Sequence, residues 1–349
     1  MHYPAQMTST HDIDRQLLNA AKLEAAGRID DATAAVRRAA ATGQASALAA
    51  LAKHLLVHRP DCGREALTAA TAAAKAGHGE AAHLLAVFIA AGVGFPQNWQ
   101  TALDGLQHSA ELGWEASQRE LALLAGTQYE NGSNWKRLRE QVDIEGWIAA
   151  PSPRQLRASP RIFAADGFAS PAVCNWLIGL ARPRLKAATT YDPTTGVKQQ
   201  ESGRTSSDCH LILPYGDLVL LLVRARLADL IRLPLTHLEI ATILHYAPGQ
   251  EFMPHYDFLD DTWPGYSQQI AQDGQRIFTF LIYLNEGFEG GETAFPLIGL
   301  SHKGRIGDAL FFWNVKPTGA VDRDTLHAGL PPATGQKWLF SQWVRDRPA

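Results

Sequence analysis

Three glycines, Gly43, Gly77 and Gly113, stand 34 and then 36 residues apart, and each interrupts the same local pattern. AATGQASA at 40–47, KAGHGEAA at 75–82 and ELGWEASQ at 111–118 share a helix end, a glycine and a restart, followed by LAALAKHLL, HLLAVFIA and ELALLAG. Glycine takes the left-handed conformation that ends one helix before the next begins. A fixed period of this length is the mark of stacked helix pairs. The Ala- and Leu-rich stretch over residues 12–126 carries apolar residues at helical spacing, so this third of the chain is expected to be an all-α array.

At 349 residues the chain has room for two domains. Net charge is −3, and residues 1–128 hold 10 Lys+Arg against 12 Asp+Glu, so no basic stripe marks a nucleic-acid surface. Cys62, Cys174 and Cys209 are odd in number and far apart, which fits a reducing compartment better than a disulfide framework. The opening MHYPAQMTSTHDIDR has neither a basic n-region nor an apolar h-region. No run of 18 apolar residues occurs, so a membrane span is not expected. These features together read as a cytoplasmic protein with no nucleic-acid or membrane partner.

Residues 127–160 change character, with fewer alanines, more charge, and Pro151, Pro153 and Pro160 close together. Proline cannot continue a helix, so extended chain is expected there. From Arg161 the period moves towards strands. RIFAADGF reads as a strand, then SPAVCNWLIGLARPRL as a helix with Ser170 at its N-cap and Pro171 in its first turn. DLVLLLVRARLADLIRL reads as a second helix. Short strands follow in HLEIATILHYA, EFMPHYD, QRIFTFLIYLN, GETAFP, GRIGDALFFWN, TLHAGLPP and QKWLFSQWV. Many short strands after two helices predict a double-sheet barrel with flanking helices. The domains expected are a disordered N-terminus at 1–11, the helical array at 12–128, a linker at 129–160 and the barrel at 161–349.

The chemistry concentrates in LHYAPGQEFMPHYD, residues 244–257. His255 and Asp257 stand two apart in a strand-like segment, and i and i+2 side chains share a strand face. His327, in TLHAGLPP, offers a third ligand 70 residues on, and Lys337 a cation after that. Two histidines and one carboxylate form the facial triad that holds non-haem Fe(II) with positions open for oxygen chemistry. The other histidines, His54, His58, His78, His83 and His108, are scattered. His54 and His58 share a helical face, but with no third ligand nearby they read as surface or core residues.

Two resemblances follow from these segments. The glycine-punctuated array, with GVGFPQNWQTAL at 92–103, resembles Sel-one-like repeats, relatives of the tetratricopeptide family. LHYAPGQEFMPHYD, QRIFTFLIYLNEGFEGGETAFP, KGRIGDALFFWN and LHAGLPPATGQKWLFSQWV, in this order over residues 161–349, resemble the catalytic domain of prolyl 4-hydroxylases. The fold implied is α+β, an N-terminal all-α helical repeat array followed by a double-stranded β-helix (jelly-roll) oxygenase domain. The resemblance makes His255, Asp257 and His327 the iron ligands and Lys337 the cation for the distal carboxylate of 2-oxoglutarate. Tyr246 and Thr279 match hydroxyl groups that bind this cosubstrate, and Trp343 an aromatic lining the substrate site. Arg204, in SGRTSS, falls where the family has a substrate-side loop. His245 alternates with Tyr246 and is expected to face away.

The activity implied is Fe(II)- and 2-oxoglutarate-dependent hydroxylation using O2, with ascorbate as reductant and with succinate and CO2 released. The carboxylate at 257 favours hydroxylation over halogenation, since related halogenases carry a small residue there. A peptidyl proline, or another peptide side chain, is the substrate expected, with the repeat array either docking it or bracing the neighbouring domain. A free amino acid or small metabolite is the alternative, and an inactive scaffold the second. The segment Leu259–Gln275 is expected to be a polar lid loop.

Overall fold

A computed structural model gives the protein's structure and describes residues 10–191, 198–199 and 203–348. The chain divides into two compact units, one reaching to Ile144 and including Gly216–Leu221, the other formed by Glu145–Tyr215 and Leu222–Ala349. No helix among the described residues is long and apolar enough to cross a membrane.

In the first unit the helices are Thr10–Ala25, Ile29–Ala40, Ala45–His58, Gly63–Lys75, Gly79–Ala91, Trp99–Glu111, Glu115–Leu124 and the short Trp135–Gln141. Each of the first seven packs against the next in sequence. Gly43, Gly77 and Gly113 lie between paired helices with φ of +77°, +84° and +84°, the left-handed conformation their spacing predicts. The interhelical core is largely alanine, with Ala52, Ala66 and Ala70 fully buried. Small side chains let the backbones approach closely: a Cβ built on Gly79 would lie 2.8 Å from Trp114 Cβ.

Of the two expected helices, Pro171–Ala181 lies in the second unit, as does Leu218–Ile231 from Leu222 onward. Ser170 Oγ accepts from the Val173 N–H at 3.3 Å, as its position ahead of Pro171 predicts. An eight-stranded sheet runs Arg154–Arg157, Ile162–Ala165, Ala309–Trp313, Arg276–Tyr283, Lys337–Arg345, Thr242–Tyr246, Ser207–His210, Lys186–Ala187, all neighbours antiparallel. A four-stranded antiparallel sheet runs Leu300–His302, Thr293–Phe295, His327–Gly329, Phe252–His255. Leu281, Tyr283, Leu310, Phe312 and Leu339 of the first sheet form one apolar cluster with Phe295 of the second, so the two sheets close on a shared core. The Arg276–Tyr283 strand is buried on its other face too, where Phe280 meets Phe168 at 4.7 Å. That double burial is why FTFLIYL reads as a continuous apolar run rather than an alternation.

Three local features differ from the sequence expectation. The linker stretch contains a strand, Arg154–Arg157, paired with Ile162–Ala165. Its side chains are mostly exposed, so no apolar pattern announced it. The helical array begins at Thr10, and residues 1–9 of the expected disordered terminus lie outside the described residues. The Leu259–Gln275 segment is not an open loop: it contains the helix Pro264–Asp273, which buries no residue and so left no amphipathic signature. The Gln275 side chain closes its base, accepting from Leu259 N–H at 2.8 Å and donating to Leu259 C=O at 2.7 Å.

Candidate metal and cosubstrate site

The four-stranded sheet sets His255 directly opposite His327, with ring centroids 4.3 Å apart. Opposed residues of an antiparallel pair point to the same face. Asp257 lies in the bend just past the strand end at His255, so the turn of the chain, rather than a strand period, brings it alongside. Its Oδ1 is 3.6 Å from His255 Nε2 and its Oδ2 is 3.4 Å from His327 Nε2. Each imidazole is oriented by a backbone carbonyl two residues earlier. His255 Nδ1–H donates to Met253 O at 2.8 Å and His327 Nδ1–H to Thr325 O at 3.0 Å. Both Nε2 lone pairs are thereby left free to bind a metal.

Aromatic rings fix these imidazoles further. Phe252 stacks on His255 at 3.5 Å and Phe312 meets His327 edge-on at 4.8 Å. Burial, with His327 beside it, lowers the His255 pKa to about 3. For Asp257 burial works against ionisation, but His327, His255 and the Thr279 hydroxyl outweigh it and hold the carboxyl well below the usual range. Neutral imidazole and ionised carboxylate are the forms a metal requires.

The eight-stranded sheet supplies the rest. Lys337 stands opposite Tyr246, so both point the same way. Lys337 is fully buried, and its Nζ has no hydrogen-bond partner among the described residues, lying 5.0 Å over the Tyr246 ring. Burial lowers its pKa from the usual 10.5 to about 7, and Glu292 raises it only in part. An unpartnered buried ammonium is costly unless an anion joins it. Burial pushes the Tyr246 phenol up to about 12, keeping its proton in place as a donor. A Cβ at position 329 would lie 3.1 Å from the Tyr246 hydroxyl, so Gly329 leaves that group its room. His245 faces the other way, against Trp338 and Gln336.

Thr279 has a different immediate partner from the one the sequence suggested. Its hydroxyl donates to Asp257 Oδ2 at 2.7 Å and accepts from Asn314 Nδ2 at 3.0 Å. A hydroxyl has one proton, so while it holds Asp257 it cannot also donate to a cosubstrate carboxylate. Asn314, fully buried, carried no recognisable signal at the end of FFWN, because only the strand pairing Phe312↔Thr279 brings it near. Thr279→Val keeps the shape but leaves Asp257 Oδ2 and Asn314 Nδ2 unpaired. Loss of a group that orients a metal ligand weakens metal binding about 10–100-fold. Anaerobic Fe(II) titration of the folded variant is expected to show that loss, with a melting temperature lowered by the two unpaired groups; wild-type affinity would remove Thr279 from the site's support.

Trp343 stands opposite Thr279 on the same face. The Arg276 guanidinium lies 3.6 Å over its ring and is held in turn by a bidentate pair with Glu239 at 2.7 and 3.0 Å. Arg204 is 9 % exposed. It donates to Asp208 Oδ2 and Thr189 O, and its guanidinium sits 4.8 Å over Phe252. The head group thereby backs the ring that stacks on His255. Most of the loop just ahead of Arg204 lies outside the described residues.

The family model of the 2OG-Fe(II) oxygenase superfamily matches residues 241–345. The chain is 35% identical over 208 residues to probable prolyl 4-hydroxylase 3 of Arabidopsis thaliana, covering 54% of this chain and 70% of that protein. It is 32% identical over 242 residues to prolyl 4-hydroxylase 1 of Arabidopsis thaliana, covering 62% of this chain and 82% of that protein. Among solved structures it is similar to the viral collagen prolyl hydroxylase of Paramecium Bursaria Chlorella virus-1. That match has 28% identity and a TM-score of 0.41, and covers 53% of this chain and 95% of the other.

Proposed function

The chain belongs to the prolyl 4-hydroxylases of the 2OG-Fe(II) oxygenase superfamily, and from that premise we propose that it hydroxylates prolyl side chains in peptides. It is a 2-oxoglutarate-dependent dioxygenase. The observation that carries the proposal is the pairing of one 2-His-1-carboxylate face with one unpartnered buried ammonium. The donor set fits Fe(II): two imidazole Nε2 atoms and a carboxylate within 4.8 Å of one another occupy one face and leave the other open.

In this reading His255, Asp257 and His327 hold the metal, while Lys337 and the Tyr246 hydroxyl receive the two-carboxylate cosubstrate. Iron with 2-oxoglutarate and O2 supplies oxidative decarboxylation to succinate and CO2, coupled to hydroxylation of an unactivated C–H bond, with ascorbate as reductant. The protein's own part is orientation. Backbone carbonyls fix the imidazoles, Asn314 and Thr279 fix Asp257, and the buried Lys337 charge selects an anion of the right reach. Trp343 offers a ring face for a pyrrolidine. We read the paired sheets as a jelly-roll, residues 12–128 as a Sel-one-like repeat domain, and that domain as a docking surface for the peptide.

Purified protein with Fe(II), 2-oxoglutarate and ascorbate is expected to convert proline-rich peptides to hydroxyproline with one succinate per hydroxylation. Docking predicts that KM falls as the peptide lengthens. Hydroxylation of free amino acids but not of peptides would overturn the substrate assignment, and a length-independent KM the docking role.

A further inference from the structure

We propose that Glu24, His54 and His58 in the helical unit form a second metal site, for a divalent transition ion of the zinc type. The ligand atoms of these three residues lie within 4.8 Å of one another. Among the described residues only one other group meets that criterion, the His255–Asp257–His327 triad. His54 and His58 are one turn apart on the helix Ala45–His58, with ring centroids 5.0 Å apart. Glu24 comes from the helix Thr10–Ala25, and its carboxylate contacts His54 Nδ1. Proximity in the fold, not in sequence, supplies the third ligand that the histidine pair lacks on its own.

The tautomer of His54 supports a cation at this point. The ring is buried, 4 % exposed, and its Nε2 lies 2.8 Å from Thr33 Oγ1. That hydroxyl donates to Ile29 C=O at 2.8 Å, so it accepts from Nε2–H. Nδ1 is then left facing the Glu24 carboxylate, a pairing that either a metal ion or a proton on Nδ1 satisfies. A ligating histidine ordinarily passes its other N–H to an oxygen acceptor, the part Thr33 plays here. Glu24 is 32% exposed, which leaves a solvent side for water as the fourth ligand. Zinc binds such nitrogen and oxygen donors more tightly than Fe(II) does. A bound ion would tie the first helix to the third at the end of the array, where a stacked fold lacks a neighbour on one side. In the competing arrangement Nε2–H still donates to Thr33, a proton on Nδ1 donates to Glu24, and no ion is needed.

Equilibrium dialysis of the full chain against Zn²⁺, with metal content measured, decides between them. The proposal predicts two ions per chain for wild type, one for His58→Ala and one for His255→Ala. Glu24→Gln provides the same reading as His58→Ala should the latter lose helix by circular dichroism. A tetrahedral Co²⁺ spectrum should persist in His255→Ala and vanish when His58→Ala is added. A wild-type chain holding one ion, lost in His255→Ala, would overturn the site, as would two ions retained in both His58→Ala and Glu24→Gln. The readout is metal content and not turnover, and His58→Ala and Glu24→Gln leave the His255–Asp257–His327 centre untouched.

Discussion

Lys337→Met is expected to give a protein that is more stable on its own yet binds 2-oxoglutarate poorly. The side chain is fully buried and its ammonium has no hydrogen-bond partner among the described residues, so a similar volume without the charge removes a desolvation cost. Replacing buried charge by apolar volume stabilises by about 1–4 kcal/mol in favourable cases. The sign with pH follows from the folded pKa of about 7 against the usual 10.5. Between those values the unfolded chain holds the proton and the folded chain has released it, so wild-type stability rises with pH across that window. Below pH 7 both states are protonated and the penalty is complete. The methionine variant should lack this rise, which thermal melts from pH 6.5 to 10 without cosubstrate will show. Removing one partner of a buried charge pair costs about 2–5 kcal/mol, so KM for 2-oxoglutarate should increase roughly 30- to several-thousand-fold. An unchanged KM would take Lys337 out of the cosubstrate site.

Asp257→Ala should abolish succinate formation. The carboxylate stands between two Nε2 atoms at 3.4 and 3.6 Å and is 4 % exposed, and it is the anionic donor of the three-residue cluster. Removal of groups that only orient ligands already costs about 10–100-fold, and loss of the ligand itself should exceed that. Fe(II) affinity and succinate release, measured together, are expected to fall in parallel. Retained iron binding with lost turnover would mean that Asp257 acts in the chemistry without holding the metal. Retained turnover would move the metal centre elsewhere.

Much of this was legible beforehand, for identifiable reasons. The glycines at 43, 77 and 113 mark helix ends because the left-handed backbone they adopt is a local property. The strands holding Thr242–Tyr246, Arg276–Tyr283 and Lys337–Arg345 were visible as apolar, β-branched and aromatic runs. The Arg154–Arg157 strand and the Pro264–Asp273 helix were not, since neither buries a face that would leave a period in the sequence. Arg204 and Thr279 could be placed near the site from motif position alone. Which groups they touch depends on pairings such as Arg204 with Asp208 and Thr279 with Asp257, and residue type does not encode those.

The sequence by itself determined the division into a helical part and a strand-rich part, and the residue types able to hold a metal and an anion. Periodicity and side-chain chemistry are local, so they survive in one dimension. The tertiary structure alone decided that Asn314 supports Thr279, that Arg204 backs Phe252, and that Glu24 meets His54. Each of those contacts joins residues on different elements. Strand register or helix packing sets their separation, and neither is written in the spacing of the residues themselves.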